Sequence, residues 1–187
     1  MIDYKRIENA YREILLAIGE DLQRDGIKDT PKRAAKVWKE FIDYDAGKTD
    51  TVFQTISSNQ MVIIKDIKVW SMCEHHLLPF WCELCIAYIT KDKALGLSKF
   101  ARIAHKHAHK IQIQENLVHG IAKEIIDVTK STDVGVIARG EHLCMCMRGI
   151  KTEHRMISSS MHGLFMKDHI IRNELLMMFN SSYANSL

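Results

Sequence analysis

A stretch of four residues, Cys73-Glu74-His75-His76, places a thiol, a carboxylate and two imidazoles side by side, directly before an apolar run. Such groups are costly to bury without partners, so the stretch is either an exposed loop or a binding site. Cys73 and His76 stand three residues apart, and both side chains can reach one small cation where the chain turns between them. Because zinc takes thiolate and imidazole ligands, this spacing predicts half of a metal site.

The remaining ligand is offered by HLCMCMRG, the stretch that begins at His142. We predict a strand here, and alternate side chains of a strand share a face. On that face the strand would carry His142, Cys144, Cys146 and Arg148. One of the two cysteines would complete a Cys₂His set, and His142 would stand beside the metal as a free acid or base. A metal-activated water next to a proton donor is suited to hydrolysis of an amide-like or amidine C–N bond.

Cys82 and Cys85 form a second pair with the same spacing as Cys73 and His76. A C-x₂-C pair can be half of a structural zinc site or a redox pair. These two cysteines lie in a strand pattern, however, where residues three apart face opposite ways, so we predict that both are core residues. The signature of the zinc deaminases that act on nucleobases, H-x-E followed by P-C-x-x-C, does not occur in the sequence.

The composition predicts a globular protein of the cytoplasm. The chain has 187 residues, 47% hydrophobic and 26% charged, and its net charge of +3 does not force nucleic-acid binding. Its apolar runs are too short for a membrane span, and its first residues do not resemble a secretory signal. Five cysteines, an odd number, favour reduced thiols. The basic run from Lys99 to Lys110 is typical of a solvated helix face with cations available for a phosphate-bearing small ligand.

Hydrophobic periodicity predicts an α+β domain over residues 51–187, with a largely antiparallel sheet and helices packed on it, preceded by a helical region over residues 1–50. Thr30 and Ser98 are the predicted N-caps of two helices, the first with proline at its first position. Strands are predicted at MVIIKDIKVW, CELCIAYIT, DVGVIAR, HLCMCMRG and RMISSSM. Helices are predicted over residues 7–18, 30–42, 98–111, 117–128 and 170–179.

Five motifs in order, DTPKRAAKVW, CEHH, GLSK, IQIQE and H-x-C-M-x-x-RG, resemble those of GTP cyclohydrolase I. The resemblance runs from about Asp29 to the GLF segment near Phe165. It implies the tunnelling fold (T-fold), in which subunit sheets join edge to edge into a barrel. The assembly it implies is a homo-oligomer, commonly a decamer of two pentameric rings, with active sites between subunits and with neither nucleic acid nor membrane as a partner.

The resemblance also implies a role for each residue that matches a family motif. The implied zinc ligands are Cys73, His76 and Cys144. The implied catalytic residues are His75 and His142, with Ser98 near the ribose. Gln114 and Glu115 match the pair that recognises guanine. The cations implied around the triphosphate are Arg33, Lys36, Lys99, Arg102 and Arg148.

The implied reaction converts GTP and water to 7,8-dihydroneopterin triphosphate and formate, a step that feeds folate, tetrahydrobiopterin or deazaguanine synthesis. Metal-activated water attacks C8 of guanine, and His142 protonates the ring nitrogen with help from His75. The sequence departs from the family pattern at Asn116 and Val118, at Lys110-Ile111 and at Trp81-Cys82. These departures bear on the packing around the base pocket.

Two other functions are alternatives. One is another enzyme of the same fold, either a pterin synthase or a nitrile reductase of deazaguanine synthesis. The GLSK and QE motifs argue against the synthase, and the complete set of Cys73, His76, His142 and Cys144 argues against the reductase. The other is a non-catalytic, zinc-stabilised oligomer that binds a nucleotide or a nucleic acid through its basic helix.

Overall fold

The computed structural model describes residues 2–55 and 58–181, and the chain divides into two compact units, one up to Asp45 and one from Ala46 onward. The first unit contains two helices, α1 (Tyr4–Ala17) and α2 (Thr30–Ile42). They pack against each other, and the Trp38 indole donates a hydrogen bond of 2.7 Å to the Tyr11 hydroxyl. Helix α2 has Asp29 at its N-cap position, so the predicted cap at Thr30 is wrong and Thr30 is the first helical residue.

The second unit is built around a sheet. The strands in chain order are β1 (Val52–Gln54), β2 (Met61–Cys73), β3 (Pro79–Ile89), β4 (Lys93–Leu95), β5 (Ile111–Gln112), β6 (Val134–His142) and β7 (Met156–Met161). The five-stranded sheet has the order β5-β2-β3-β6-β7, and β1 pairs separately with β4. The short β5 runs parallel to β2, whereas β2, β3, β6 and β7 pair antiparallel. The helices of this unit are α3 (Leu97–Ala108), α4 (Gln114–Thr129), α5 (Leu143–Cys146), α6 (Leu164–Lys167) and α7 (His169–Asn180).

Helices cover both faces of this sheet, which explains the continuous apolar run along β3. On one face, Leu84 and Ile86 pack in the same cluster as Phe100 of α3 and Ile121 of α4. On the other face, the cluster contains strand residues together with Phe165 of α6 and Leu175 of α7. Burying one such side chain stabilises the fold by roughly 1.5–3 kcal/mol. The sheet is therefore a rigid platform for the residues at its ends.

The predicted α+β fold with a largely antiparallel sheet is confirmed, but the predicted strand HLCMCMRG is wrong. Strand β6 ends at His142, and the chain enters the short helix α5, whose turn is closed by the Met147 N–H and the Leu143 carbonyl at 3.0 Å. The neighbouring strand explains this end. His142 pairs with Phe80, and the residue before Phe80 is Pro79, which has no N–H to continue the ladder.

Helix α3 begins at Leu97 with Gly96 at its N-cap, so the predicted cap at Ser98 is wrong and Ser98 lies in the first turn. Within the described residues, none of the helices is both long enough and apolar enough to cross a membrane.

Candidate metal centre and active site

The candidate metal centre forms where β2 ends. Cys73 is the last residue of that strand, and the chain then folds back through a tight turn in which the Leu77 N–H donates to the Cys73 carbonyl at 2.9 Å. Leu77 has a φ of 52°, in the left-handed region that such a turn requires. The turn directs His76 back toward Cys73, and α5 supplies Cys144. The candidate ligand atoms of Cys73, His76 and Cys144 all lie within 4.8 Å of one another.

The geometry and chemistry of these three residues fit a zinc ion. The sulfur atoms of Cys73 and Cys144 are 3.9 Å apart, and two thiolates on a tetrahedral zinc ion with bonds of about 2.3 Å stand about 3.8 Å apart. Burial and the contact with the Cys73 thiol raise the pKa of Cys144. Two thiolates this close repel each other unless a cation lies between them. Three protein ligands also leave one position open, as in catalytic zinc sites.

His142, two residues before Cys144, is buried at the end of β6 and held on two sides. Its ring stacks on that of Phe80, its register partner on β3, with centroids 4.5 Å apart and an interplanar angle of 5°. Its Nε2 atom lies 3.0 Å from Oε1 of Gln114. Burial lowers the pKa of His142, the neighbouring His154 lowers it further, and the Glu115 carboxylate opposes both. This imidazole has a defined plane and a defined hydrogen-bond partner.

Gln114 and Glu115 open helix α4, and the structure places their side chains differently. The Gln114 side chain is fully buried, and the two hydrogens of its amide nitrogen are shared among the Ala138 carbonyl, the Met156 carbonyl and the Ser158 hydroxyl, at 3.2, 3.2 and 2.9 Å. Glu115 lies in the first turn and is exposed. The guanine contact predicted for this pair stays a prediction, and Glu115 is the member whose carboxylate is accessible.

Three further predicted site residues lie at the surface around these elements, the catalytic residues His75 and Ser98 and the triphosphate-binding Arg148. His75 is exposed in the turn after β2, with its Nδ1 atom 3.9 Å from the Cys73 sulfur. Ser98 is exposed in the first turn of α3. Arg148 is exposed just beyond α5, and its positive charge acts to lower the pKa of Cys144, against the larger effect of burial. The structure therefore leaves these three side chains accessible to a ligand.

Comparison with known proteins identifies the family. The family model described as GTP cyclohydrolase I matches residues 7–180. A protein of Pseudoalteromonas translucida named "GTP cyclohydrolase 1" is 46% identical, and the match covers 92% of this chain and 97% of that protein. The chain belongs to the GTP cyclohydrolase I family. A relative of the same name from Sulfurihydrogenibium is 40% identical over 97% of both chains. The predicted family is thus confirmed, and with it the prediction of an enzyme.

One similarity to a solved structure is weaker. The structure titled "Crystal structure of the archaeosine synthase QueF-Like in the apo form" covers 56% of this chain and 96% of its own, at 17% sequence identity and a TM-score of 0.42. A similarity at this level supports no argument about function.

In this GTP cyclohydrolase I family member, four of the five cations predicted to bind triphosphate have hydrogen-bond or ion-pair partners within the chain, namely Lys99, Arg102, Arg33 and Lys36. Lys99 donates to the Lys48 carbonyl at 2.9 Å, and Arg102 donates to the Ala46 carbonyl at 2.6 Å, so both hold the segment before β1 against α3. The remaining two belong to the first unit, where Arg33 donates to the Gly26 carbonyl at 3.0 Å and Lys36 lies 3.4 Å from the Glu40 carboxylate. Backbone carbonyls are weaker partners for these cations than phosphate oxygens.

Among the departures from the family pattern, Cys82 lies beside the same glycine of β6 as the Gln114 side chain. Its sulfur atom and the Gln114 Oε1 atom lie 2.8 and 2.3 Å from the point that a Cβ on Gly140 would occupy. Trp81 lies on the opposite face, with Lys68 Nζ 4.5 Å and the Arg155 guanidinium 5.5 Å from its ring. Cys82, and not Trp81, therefore lies next to the buried side-chain amide of Gln114.

Sequence reasoning missed two residues around His142. Phe80 provides the stacking surface, and His154 places its ring 6.0 Å from that of His142, with a buried Nε2 atom for which the described residues provide no hydrogen-bond partner. The alternation of apolar residues along β3, which begins at Phe80, was a sequence signal that could have identified Phe80. No local signal identifies His154, because its position depends on the irregular segment after α5.

Proposed function

We propose that this chain is a zinc-dependent hydrolase that converts GTP and water to 7,8-dihydroneopterin triphosphate and formate. The observation that carries the proposal is that Cys73, His76 and Cys144 converge at the end of the sheet. His142, two residues before Cys144, is buried beside them, and its ring is oriented by Phe80 and Gln114. A metal ligand set next to a fixed acid or base suits hydrolysis of the guanine imidazole ring. Membership of the GTP cyclohydrolase I family supports the choice of substrate.

The proposed chemistry divides between the metal and the chain. A Zn²⁺ ion on Cys73, His76 and Cys144 would supply a water molecule activated near neutral pH. In this proposal His142 delivers a proton to the ring nitrogen as the C–N bond opens, and the exposed His75 assists. Phe80 and Gln114 fix the plane of the His142 ring, so that little orientational freedom is lost when the proton is transferred.

Substrate binding uses the accessible side chains. We propose that Glu115 accepts hydrogen bonds from the N–H groups of guanine, because its exposed carboxylate follows directly on the buried Gln114. Ser98 would contact the ribose. Arg33, Lys36, Lys99, Arg102 and Arg148 would bind the triphosphate. For Lys99 and Arg102 this means exchanging neutral carbonyl partners for anionic oxygens, which form stronger hydrogen bonds.

We further propose that the enzyme is a cytoplasmic homo-oligomer, a decamer of two pentameric rings with active sites between subunits. The sheet supports an edge-to-edge assembly, because its outer strands are β5 and β7 and each exposes an isoleucine, Ile111 and Ile157. Outer strands carry backbone groups that can pair with another chain. Mass photometry would test this, and a stable monomer with full activity would contradict sites that are shared between subunits.

The first experiment is to incubate reduced, zinc-loaded protein with GTP, with and without chelator. We expect formate and, after oxidation and dephosphorylation, fluorescent neopterin, and we expect both to disappear with chelator. Formate without neopterin would mean that the ring opens but does not rearrange. If zinc and GTP bind and GTP stays intact, the proposal is wrong and a non-catalytic oligomer is the better hypothesis. A nicotinamide-dependent activity insensitive to chelator would instead favour the reductase.

A further inference from the structure

We infer that Gln114 is a positioning residue for His142: its side-chain amide fixes the neutral imidazole with the proton on Nε2 and leaves Nδ1 as the atom that exchanges a proton with the substrate. The inference rests on the proposed function for the catalytic role of His142. It differs from the role that the family resemblance implies for Gln114, which is recognition of guanine.

The surroundings of Gln114 determine which way its amide points. Two of its neighbours are the backbone carbonyls of Ala138 and Met156, which can only accept hydrogen bonds. The NH₂ group must face them, together with the Ser158 hydroxyl at 2.9 Å. The amide oxygen must then face the opposite way, toward His142. A reversed amide would set its oxygen against two carbonyl oxygens in the protein interior, so the hydrogen-bond network excludes it.

The amide orientation in turn determines the tautomer of His142. An amide oxygen can only accept, so the Nε2 atom 3.0 Å away from it must carry the proton. The stack on Phe80, nearly coplanar at 5°, keeps the imidazole from rotating out of this arrangement. Nδ1 is then the remaining ring nitrogen. The neutral ring accepts a proton at Nδ1 when it acts as a base, and the ring that is then protonated on both nitrogens gives that proton up from Nδ1 when it acts as an acid.

The fold reserves space for this contact. Gly140 lies two residues before His142 on β6, and a Cβ at that position would come within 2.3 Å of the Gln114 oxygen and 3.0 Å of the Trp81 carbonyl. Any larger residue would therefore displace the amide from His142. The Gln114 side chain is also fully buried, and its oxygen and NH₂ group already have partners. A direct side-chain contact with guanine would require one of these bonds to break.

The test compares Gln114→Met with Gln112→Met. Methionine keeps the length of the side chain and removes its hydrogen bonds. Gln112 is a matched control, since it is also buried and its amide nitrogen donates to the Ser71 hydroxyl and the His107 carbonyl, at 3.1 and 2.6 Å. We expect Gln114→Met to keep its zinc and lower kcat by roughly 10- to 100-fold, with KM for GTP changed by less than about threefold. Gln112→Met should lose comparable stability and keep kcat within about twofold.

A spectroscopic readout separates positioning from a general loss of structure. Magic-angle-spinning NMR of ¹⁵N-histidine-labelled protein, with the signals assigned by their loss in His142→Ala, reports which ring nitrogen carries the proton. We expect the Nε2–H form in the wild type and in Gln112→Met, and a mixture of the two forms in Gln114→Met. Gln114→Glu, whose neutral carboxyl can still accept from Nε2–H, should retain the Nε2–H form and a higher kcat than Gln114→Met.

Three outcomes would overturn the inference. One is a raised KM with unchanged kcat in Gln114→Met, which would indicate a contact with guanine. Another is an unchanged tautomer in that variant. If Gln114→Met does not fold, an Nδ1–H form in Gln114→Glu would overturn it equally. Failure of the proposed function is distinguishable, because wild-type protein would then release no formate while the NMR comparison would still report whether Gln114 sets the tautomer.

Discussion

Cys73 and His76 stand three residues apart, and so do Cys82 and Cys85, yet the two pairs lie in opposite environments. The backbone turns after Cys73, and the candidate ligand atoms of Cys73, His76 and Cys144 therefore lie within 4.8 Å of one another. Cys82 and Cys85 lie within β3, so that Cys82 belongs to the cluster under α3 and α4 and Cys85 to the cluster under α6 and α7. In this chain a spacing of three residues brings two side chains together where the backbone turns and directs them to opposite faces within a strand.

The environments of the sulfur atoms differ as well. Burial raises the pKa of Cys82 to about 12 and that of Cys85 to about 11, so both remain protonated and behave as small apolar side chains. Cys144 has another thiol 3.9 Å away, in Cys73, and the charge of Arg148 nearby. A metal ion can convert the thiols of Cys73 and Cys144 to thiolates. Cys82 and Cys85, in contrast, offer no common point at which a ligand could bind.

The largest expected effect follows from removal of the sulfur atom of Cys144, one of the two candidate thiolate ligands. We expect Cys144→Ser to lose stoichiometric zinc and to reduce turnover by more than about 10⁴-fold, because activation of water near neutral pH depends on the metal. Metal analysis and formate release measure the two effects. Cys85→Ser serves as the control and should retain zinc and turnover. Normal zinc content in Cys144→Ser would remove this residue from the ligand set.

A smaller loss is expected for His142→Ala, which separates the metal from the proposed acid. Zinc should remain bound, and kcat should fall by about 10²- to 10⁴-fold, the usual contribution of a positioned acid or base. Single-turnover measurements with GTP, alongside zinc analysis, would check this. Full turnover in this variant would exclude a proton-donor role, and loss of zinc would show that His142 supports the ligands.

Substitution of Cys85, which lies in the core as Cys82 does, should change the stability of the fold and leave zinc binding and turnover unchanged. Cys85→Ser places a hydroxyl in the apolar cluster of Phe165 and Leu175, and we expect the free energy of unfolding to fall by roughly 1–3 kcal/mol. Cys85→Ala, which adds no polar group, should cost less. Urea unfolding at a fixed protein concentration compares the two variants. A reduced zinc content in either would contradict the assignment of Cys85 to the core.

The smallest expected signal is the chemical reactivity of the thiols. Because a thiolate is the nucleophile, raised pKa values keep Cys82 and Cys85 unreactive at pH 8, and raising the pH toward 10 should increase their labelling only slightly while the chain stays folded. Mass spectrometry after iodoacetamide treatment would measure this. Chelator should increase the labelling of Cys144 and leave that of the core pair unchanged. Ready labelling of Cys82 in folded protein would contradict its burial.

The convergence of Cys73, His76 and Cys144 was expected from the sequence, but the strand argument for it was partly wrong and left Cys144 and Cys146 as alternatives. The alternation of His142, Cys144 and Cys146 fits a strand, but the strand stops at His142 because Pro79 on the neighbouring strand cannot continue the ladder. That cause is non-local and leaves no mark on HLCMCMRG itself. The long elements were predictable because periodicity extends over several turns, as in α1 and α7.

Side-chain direction was the other limit on prediction. The motif IQIQE identifies Gln114 and Glu115 together, but one is fully buried and the other is exposed, and only tertiary contacts with β6 and β7 reveal the difference. In the same way, the basic face of α3 was evident from Lys99 and Arg102, whereas their carbonyl partners at Lys48 and Ala46 were not. The sequence shows which residues carry charge, but only the tertiary structure shows which groups those residues contact.

The change from strand to helix between His142 and Leu143 constrains how the gene for this chain can vary in length. An extra residue before His142 within β6 would turn its side chain to the other face of the sheet. An extra residue at the start of α5 would rotate Cys144 by about 100° around the helix axis. Codon insertions or deletions should therefore be eliminated from this stretch. They should be tolerated better in the exposed segment over residues 149–153, which contains no helix or strand.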